Sequence, residues 1–283
     1  MIIIDKVAQI KSLITEKKNK KLSIGFVPTM GALHQGHLSL IHRAKRECDI
    51  VVASIFVNPT QFNDPKDYEK YPRTLDSDCT MLENEGCHIL FAPIKDEMYQ
   101  NVDLEVEPID LGFLDQTLEG TMRPGHYQGV VTIVEKLFKA VLPDKVYMGL
   151  KDYQQVMVIK KLVAMRNLPI EIVGCPTLRD PDGLAMSSRN MRLSSEERVF
   201  SLQISKALYH IVQHKNQKNP ELILEETIKL YFDHPIFKLE YLELRNAEDL
   251  TEISLSSWNH EMKYVVLIAV FVGEIRLIDN MTF

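Results

Sequence analysis

No Cys-x-x-Cys pair occurs among the four cysteines, Cys48, Cys79, Cys87 and Cys175. That absence excludes a zinc knuckle and a thioredoxin-like motif, and buried free thiols are expected instead. No apolar run reaches the length of a membrane span, and Met-Ile-Ile-Ile at the N-terminus meets Asp5 and Lys6 too soon for a signal-peptide core. A cytoplasmic location without membrane contact is expected. Basic residues are not in excess: 33 Lys and Arg stand against 39 Asp and Glu, a formal net charge of −6. Such a balance argues against nonspecific nucleic-acid binding but permits a small cationic pocket for an anionic substrate. Internal repeats and low-complexity tracts are also missing.

What is present is an ordinary globular composition, 45% hydrophobic and 25% charged over 283 residues, enough for one large or two moderate domains. Up to about residue 176, strand-like and helix-like stretches alternate. Leu22–Val27 and Ile50–Val57 read as strands buried on both faces, with a helix from about His37 to Glu47 between them. A helix over 75–85, a strand at 88–92, a helix over 126–141, a strand at 145–148, a helix over 152–166 and a strand at 170–173 continue the pattern. This βαβ alternation predicts a parallel sheet with helices on both faces and ligands outside the carboxyl ends of its strands. Residues 94–125 interrupt it, as an insertion over the site or an irregular loop. After Pro176 helices precede strands, with a capping box at Ser194 and Glu197, which predicts a small α+β domain.

Pro28-Thr29-Met30-Gly31-Ala32-Leu33-His34-Gln35-Gly36-His37 organises the first domain. A strand that turns directly into a helix aims backbone N–H groups and the positive end of the helix dipole at one point, which attracts phosphate. Gly31 and Gly36 let a triphosphate approach, and His34 and His37 add two donors; the competing reading is two solvent-facing histidines at an ordinary turn. Three later stretches carry the same ambiguity. Lys151 is either a phosphate cation or solvated, with Asp152 and Gln155 as a capping box. Met186-Ser187-Ser188-Arg189 grips phosphate or is a polar loop, for which Gly183 offers a pivot. Asn58 and Gln61 hold a small polar substrate or merely form a turn.

These motifs, together with Ser54–Phe62, Tyr71–Thr74, Lys151–Gln155 and Asp182–Asn190, occur in an order that resembles the pantothenate synthetases. The resemblance implies ATP-dependent ligation of pantoate and β-alanine through pantoyl adenylate, releasing AMP and pyrophosphate. It implies a Rossmann-like domain over 1–176 that binds nucleotide and pantoate, a smaller α+β lid domain over 177–283, and a homodimer. By position, His37, His34, Lys151 and Arg189 would be catalytic. Met30, Gly31, Ala32, Leu33, Gln35, Gly36, Gly149, Leu150, Asp152, Leu178, Met186, Ser187 and Ser188 would complete the ATP site, and Asn58, Gln61 and Gln155 the site for pantoate and β-alanine. Leu150 departs from the family's usual Gln or Glu. Magnesium would bridge the phosphates, with Asp78 a candidate for its shell, and the 58–72 and 94–125 stretches would shield the adenylate. A cytidylyltransferase, a nucleotide-sensing module and a tRNA-charging enzyme are the alternatives, the last disfavoured by the absence of a basic RNA-binding extension.

Overall fold

A computed structural model describes residues 1–63, 65–215, 219–253 and 262–283. By contacts the chain divides into two units, one of Met1–Leu150 with Gln154–Pro176, the other of Lys151–Tyr153 with Thr177–Phe283.

In the first unit, β1 (Ile2–Ile4), β2 (Ile24–Thr29), β3 (Ile50–Ile55), β4 (Ile89–Phe91), β5 (Lys145–Gly149) and β6 (Glu171–Cys175) form one sheet in the order β1-β4-β3-β2-β5-β6. All its pairings are parallel. The connecting helices are α1 (Val7–Asn19), α2 (Gln35–Glu47), α3 (Pro65–Lys70), α4 (Leu75–Asn84), α5 (Lys95–Tyr99), α6 (Glu119–Met122), α7 (His126–Val141) and α8 (Tyr153–Met165). Ile24, Phe26 and Val27 of β2 and Val51, Val52 and Ala53 of β3 are wholly buried, as a doubly covered parallel sheet requires. The chain leaves β2 toward β3 and β4 on one side, while β5 and β6 lie on the other. Such a reversal opens a crevice beyond the strand ends, and the loop after β2 and the end of β5 both face it.

Several boundaries differ from the sequence reading. β2 continues through Pro28 to Thr29, beyond the break expected at Pro28. Even-numbered residues of β2 point toward β5, as the bond from Asp144 N–H to Ile24 C=O shows, and that pairing stops at Phe26. Pro28, lacking an N–H, therefore costs the sheet no ladder bond. The short edge strand β1 and helix α1 were not foreseen; α1 buries only Val7, Ile10 and Ile14 within a polar, lysine-rich sequence. Three cysteines are buried, but Cys79 on α4 is only half-buried.

Residues 94–125 are a packed wall. Met98, Leu104, Ile109, Leu111, Leu114 and Leu118 are buried, and side chains from α7 and α8 secure the backbone between them. Lys136 Nζ donates to Leu104 C=O at 2.8 Å, Lys161 Nζ to Leu111 C=O at 2.8 Å, and Gln154 Nε2 to Leu114 and Thr117 C=O at 2.9 Å each. Those anchors hold the backbone of this stretch in place, so it is not a loose loop. The expected shield over 58–72 includes Asp64, which lies outside the described residues.

In the second unit α9 (Ser195–His214) and α10 (Pro220–Tyr231) pack on the antiparallel sheet β7 (Phe237–Asn246), β8 (Tyr264–Val272) and β9 (Ile275–Thr282). Val266, Ile268, Val270 and Val272 alternate inward from β8 against Ile204, Leu208 and Ile211 of α9. The expected capping box is present: Glu197 N–H donates to Ser194 Oγ at 3.2 Å and Ser194 N–H to Glu197 Oε2 at 2.8 Å.

Candidate active site

Two histidines cap the helix that follows β2. Helix α2 starts at Gln35, two residues earlier than expected, with His34 as its N-cap. Gly36 N–H donates to His34 Nδ1 at 3.1 Å, and His34 N–H donates to His37 Nδ1 at 3.3 Å. An imidazole nitrogen that accepts a backbone N–H carries no proton, so both neutral rings hold theirs on Nε2. With centroids 4.1 Å apart, the rings form a pair of N–H donors at the positive end of the helix.

The loop before them is moulded by a carboxylate. Asp78, wholly buried on α4, accepts Ala32 N–H through Oδ2 and Leu33 N–H through Oδ1, both at 2.9 Å. Thr74 Oγ1 donates to both of its oxygens at 3.2 Å, and Thr29 Oγ1 accepts Gly31 N–H at 3.1 Å. Gly31 and Ala32 have positive φ (79° and 49°), and a Cβ on Gly31 would meet Asp78 Oδ2 at 3.0 Å. The sequence reading assigned these N–H groups to phosphate, but Asp78 takes two of them because a buried carboxylate needs donors. Both oxygens of Asp78, the candidate for the magnesium shell, are thus engaged by backbone and hydroxyl donors. Ala32 and Leu33 shape the loop, Met30 is half-buried at its start, and Gln35 is exposed.

Asn58 also departs from its expected role as a substrate ligand. It is buried, and its amide is saturated. Oδ1 accepts from Thr60 N–H and Oγ1 and from Tyr99 OH, the last at 2.5 Å, while Nδ2 donates to Gly129 C=O at 3.1 Å and to Gln61 Oε1 at 3.2 Å. Asn58 thereby fixes which way the Gln61 amide points, and Gln61 Nε2 lies 2.8 Å from Met30 Sδ, at the start of the loop after β2. Gln61 is half-buried.

Sequence reasoning missed Arg123 and His126, which grip the same turn. The Gln61 carbonyl accepts from His126 Nδ1 at 2.8 Å and from Arg123 Nη2 at 3.3 Å. Arg123 Nη1 is 3.1 Å from His126 Nε2; arginine can only donate, so Nε2 accepts and His126 is neutral. The run Arg123-Pro124-Gly125-His126 at a helix start was the available signal. Gly129 is required because a Cβ there would sit 2.4 Å from Thr60 C=O.

Gly149 ends β5, Leu150 begins the short helical turn Leu150–Asp152 that follows it, and Gln155 is half-buried in the first turn of α8. Lys151 and Asp152 group with the second unit, their charged ends 3.8 Å apart. The remaining motif there is a braced hairpin. Met186 N–H donates to Leu178 C=O at 3.0 Å, Asp180 N–H to Leu184 C=O at 2.8 Å, and Arg198 binds both Asp180 and Asp182. Gly183, at φ +95°, is the turn residue of that hairpin and not a loose pivot. Ser187 Oγ accepts Arg189 N–H at 3.3 Å and begins the short helical turn Ser188–Arg192, where Ser188 and Arg189 are half-buried. No group of three His, Cys, Asp or Glu side chains suited to a metal occurs among the described residues.

The pantoate-beta-alanine ligase family model matches residues 2–282. The chain belongs to that family. It is 44% identical over 283 residues to pantothenate synthetase of Porphyromonas gingivalis, covering 100% of this chain and 99% of the relative. With that of Cytophaga hutchinsonii the identity is 46%, covering 99% of each. The crystal structure of pantothenate synthetase from Thermus thermophilus superposes with a TM-score of 0.90 at 39% identity, over 99% of both chains. A Francisella tularensis pantoate-beta-alanine ligase, complexed with beta-gamma ATP and beta-alanine, gives 0.80 at 38% identity, over 99% of this chain and 97% of that one. Among the described residues no helix is long and apolar enough to cross a membrane.

Proposed function

We propose that this chain condenses pantoate with β-alanine at the expense of ATP, through pantoyl adenylate. The carrying observation is the pair of Nε2–H donors that the reciprocal histidine cap holds at the start of α2. A pantoate carboxylate oxygen attacks the α-phosphorus, the bond to the β-phosphate oxygen breaks, and pyrophosphate leaves with the electron pair. Negative charge grows on the α-phosphoryl oxygens and on the leaving group, where the His34 and His37 donors stabilise it. Lys151 and Arg189 neutralise the departing pyrophosphate, Arg189 through a planar fork. The β-alanine amine then attacks the acyl carbon, AMP leaves, and the amine proton is lost as the amide forms.

Gln61 and Gln155 hold pantoate, with Asn58 acting on Gln61. Gly149, Leu150, Asp152, Leu178, Met186, Ser187 and Ser188 line the nucleotide site. Magnesium would accompany ATP and supply positive charge to its phosphates, since the ion favours oxygen ligands and keeps several waters. A homodimer fits the family, and sedimentation of the pure protein at micromolar concentration tests it. Incubating pure protein with ATP, pantoate and β-alanine should yield pantothenate and AMP in equal amounts by mass spectrometry. A cytidylyltransferase would leave pantothenate absent.

A further inference from the structure

Three residues, Lys151–Tyr153, leave the unit that contains both Leu150 before them and Gln154 after them, and their contacts are made with the C-terminal unit. Two hydrogen bonds within that unit hold the excursion. Asn280 Nδ2, on β9, donates to Lys151 C=O at 2.8 Å, and Tyr153 OH donates to Ala247 C=O at 2.6 Å. Asn280 is buried, and its own N–H donates to Asp279 Oδ1 at 2.8 Å. Asp279, 3% exposed, is in turn bound by Arg179 through two bonds, Nη1 to Oδ2 at 2.6 Å and Nη2 to Oδ1 at 3.0 Å. Arg179 Nη1 also donates to Gly183 C=O at 3.2 Å, inside the hairpin that leads into Met186–Arg189. The Ser188–Arg192 turn packs against β9 as well. One stretch of β9 thus fastens the segment bearing Lys151 and braces the segment bearing Arg189.

The geometry points to Asn280 as a positioning residue for ATP: through its bond to the Lys151 carbonyl, it sets the Lys151 ammonium in register with the Arg189 turn, so that one strand presents both cations to the outer phosphates. This rests on the reading of Lys151 as a phosphate cation given above. A carbonyl anchor fixes the Cα of a lysine but leaves its side chain movable. Removing the anchor should therefore weaken phosphate binding without removing the charge.

The test measures calorimetric affinities of the full-length protein for an unhydrolysable ATP analogue and for AMP, which lacks the outer phosphates. Lys151→Ala should weaken the analogue selectively. If it leaves the analogue unchanged, the role of Lys151 is wrong and the inference falls with it. Given that selective loss, Asn280→Ala should weaken the analogue about 3- to 10-fold, the worth of one hydrogen bond, with AMP affinity unchanged. Equal loss for both nucleotides, or no loss, overturns the inference while leaving the role of Lys151 standing. Tyr153→Phe, which removes only a hydroxyl, should reproduce the selective loss if Asn280→Ala does not fold; an unchanged ratio of the two affinities in Tyr153→Phe would then overturn it.

Discussion

His37 Nδ1 accepts the backbone N–H of His34, so the ring proposed to serve phosphate also closes the first turn of its own helix. Replacing His37 by Ala removes a donor and a cap together. The expected loss is about 10²–10³ in the rate of adenylate formation and about 0.5–2 kcal/mol of stability. Glutamine at this position can reach back to the same N–H, as capping boxes do. His37→Gln should therefore recover most of the melting temperature and little of the single-turnover rate. Recovery of both would deny the imidazole its proposed role.

Asp78→Asn tests the moulded loop. One amide oxygen can still accept, but the NH₂ group then faces a backbone N–H in a buried site. A loss of about 2–4 kcal/mol is expected from chemical denaturation, comprising a charge-assisted bond and a donor left unsatisfied. ATP affinity should fall with it because the loop loses its shape. A magnesium titration should show no change in metal dependence, whereas a rise in the magnesium requirement would return Asp78 to the metal.

Asn58→Ala should raise the Michaelis constant for pantoate more than that for ATP, although Asn58 is proposed to touch neither. Its effect passes through Gln61, so Asn58→Ala should cost little further in a Gln61→Ala background. Steady-state kinetics of the four proteins decide this, and independent, multiplicative effects would refute it.

Burial pushes the Cys87 thiol up to about 11. The neutral thiol therefore persists through the neutral range, and alkylation needs the thiolate. At pH 8 iodoacetamide should modify the half-buried Cys79 ahead of Cys87 in the native protein, by peptide mass mapping. Early labelling of Cys87 would contradict its burial.

The alternation of strands and helices was legible because doubly buried strands read as unbroken apolar runs, as Ile50–Val57 does. Helix α1 was not, since three inward residues in a lysine-rich stretch leave little periodic signal. For the site, residue types were readable but their partners were not. Nothing in sequence spacing distinguishes Asn58, consumed by five neighbouring groups, from Gln61, which it aims. Nor does it reveal that a carboxylate more than forty residues away would claim the N–H groups of Ala32 and Leu33. Those outcomes depend on which polar groups become buried together, a property of the tertiary fold.

The excursion of Lys151–Tyr153 also bears on how such a chain can be taken apart. A cut after Pro176 looks like a clean seam in the sequence. It would strand Lys151 on the N-terminal fragment, separated from the Asn280 amide that holds its carbonyl, and Tyr153 from the Ala247 carbonyl. The C-terminal part is therefore not an exchangeable cassette: a recombination that swapped it for another domain would have to carry a matching asparagine and carbonyl, or rebuild the lysine's footing elsewhere.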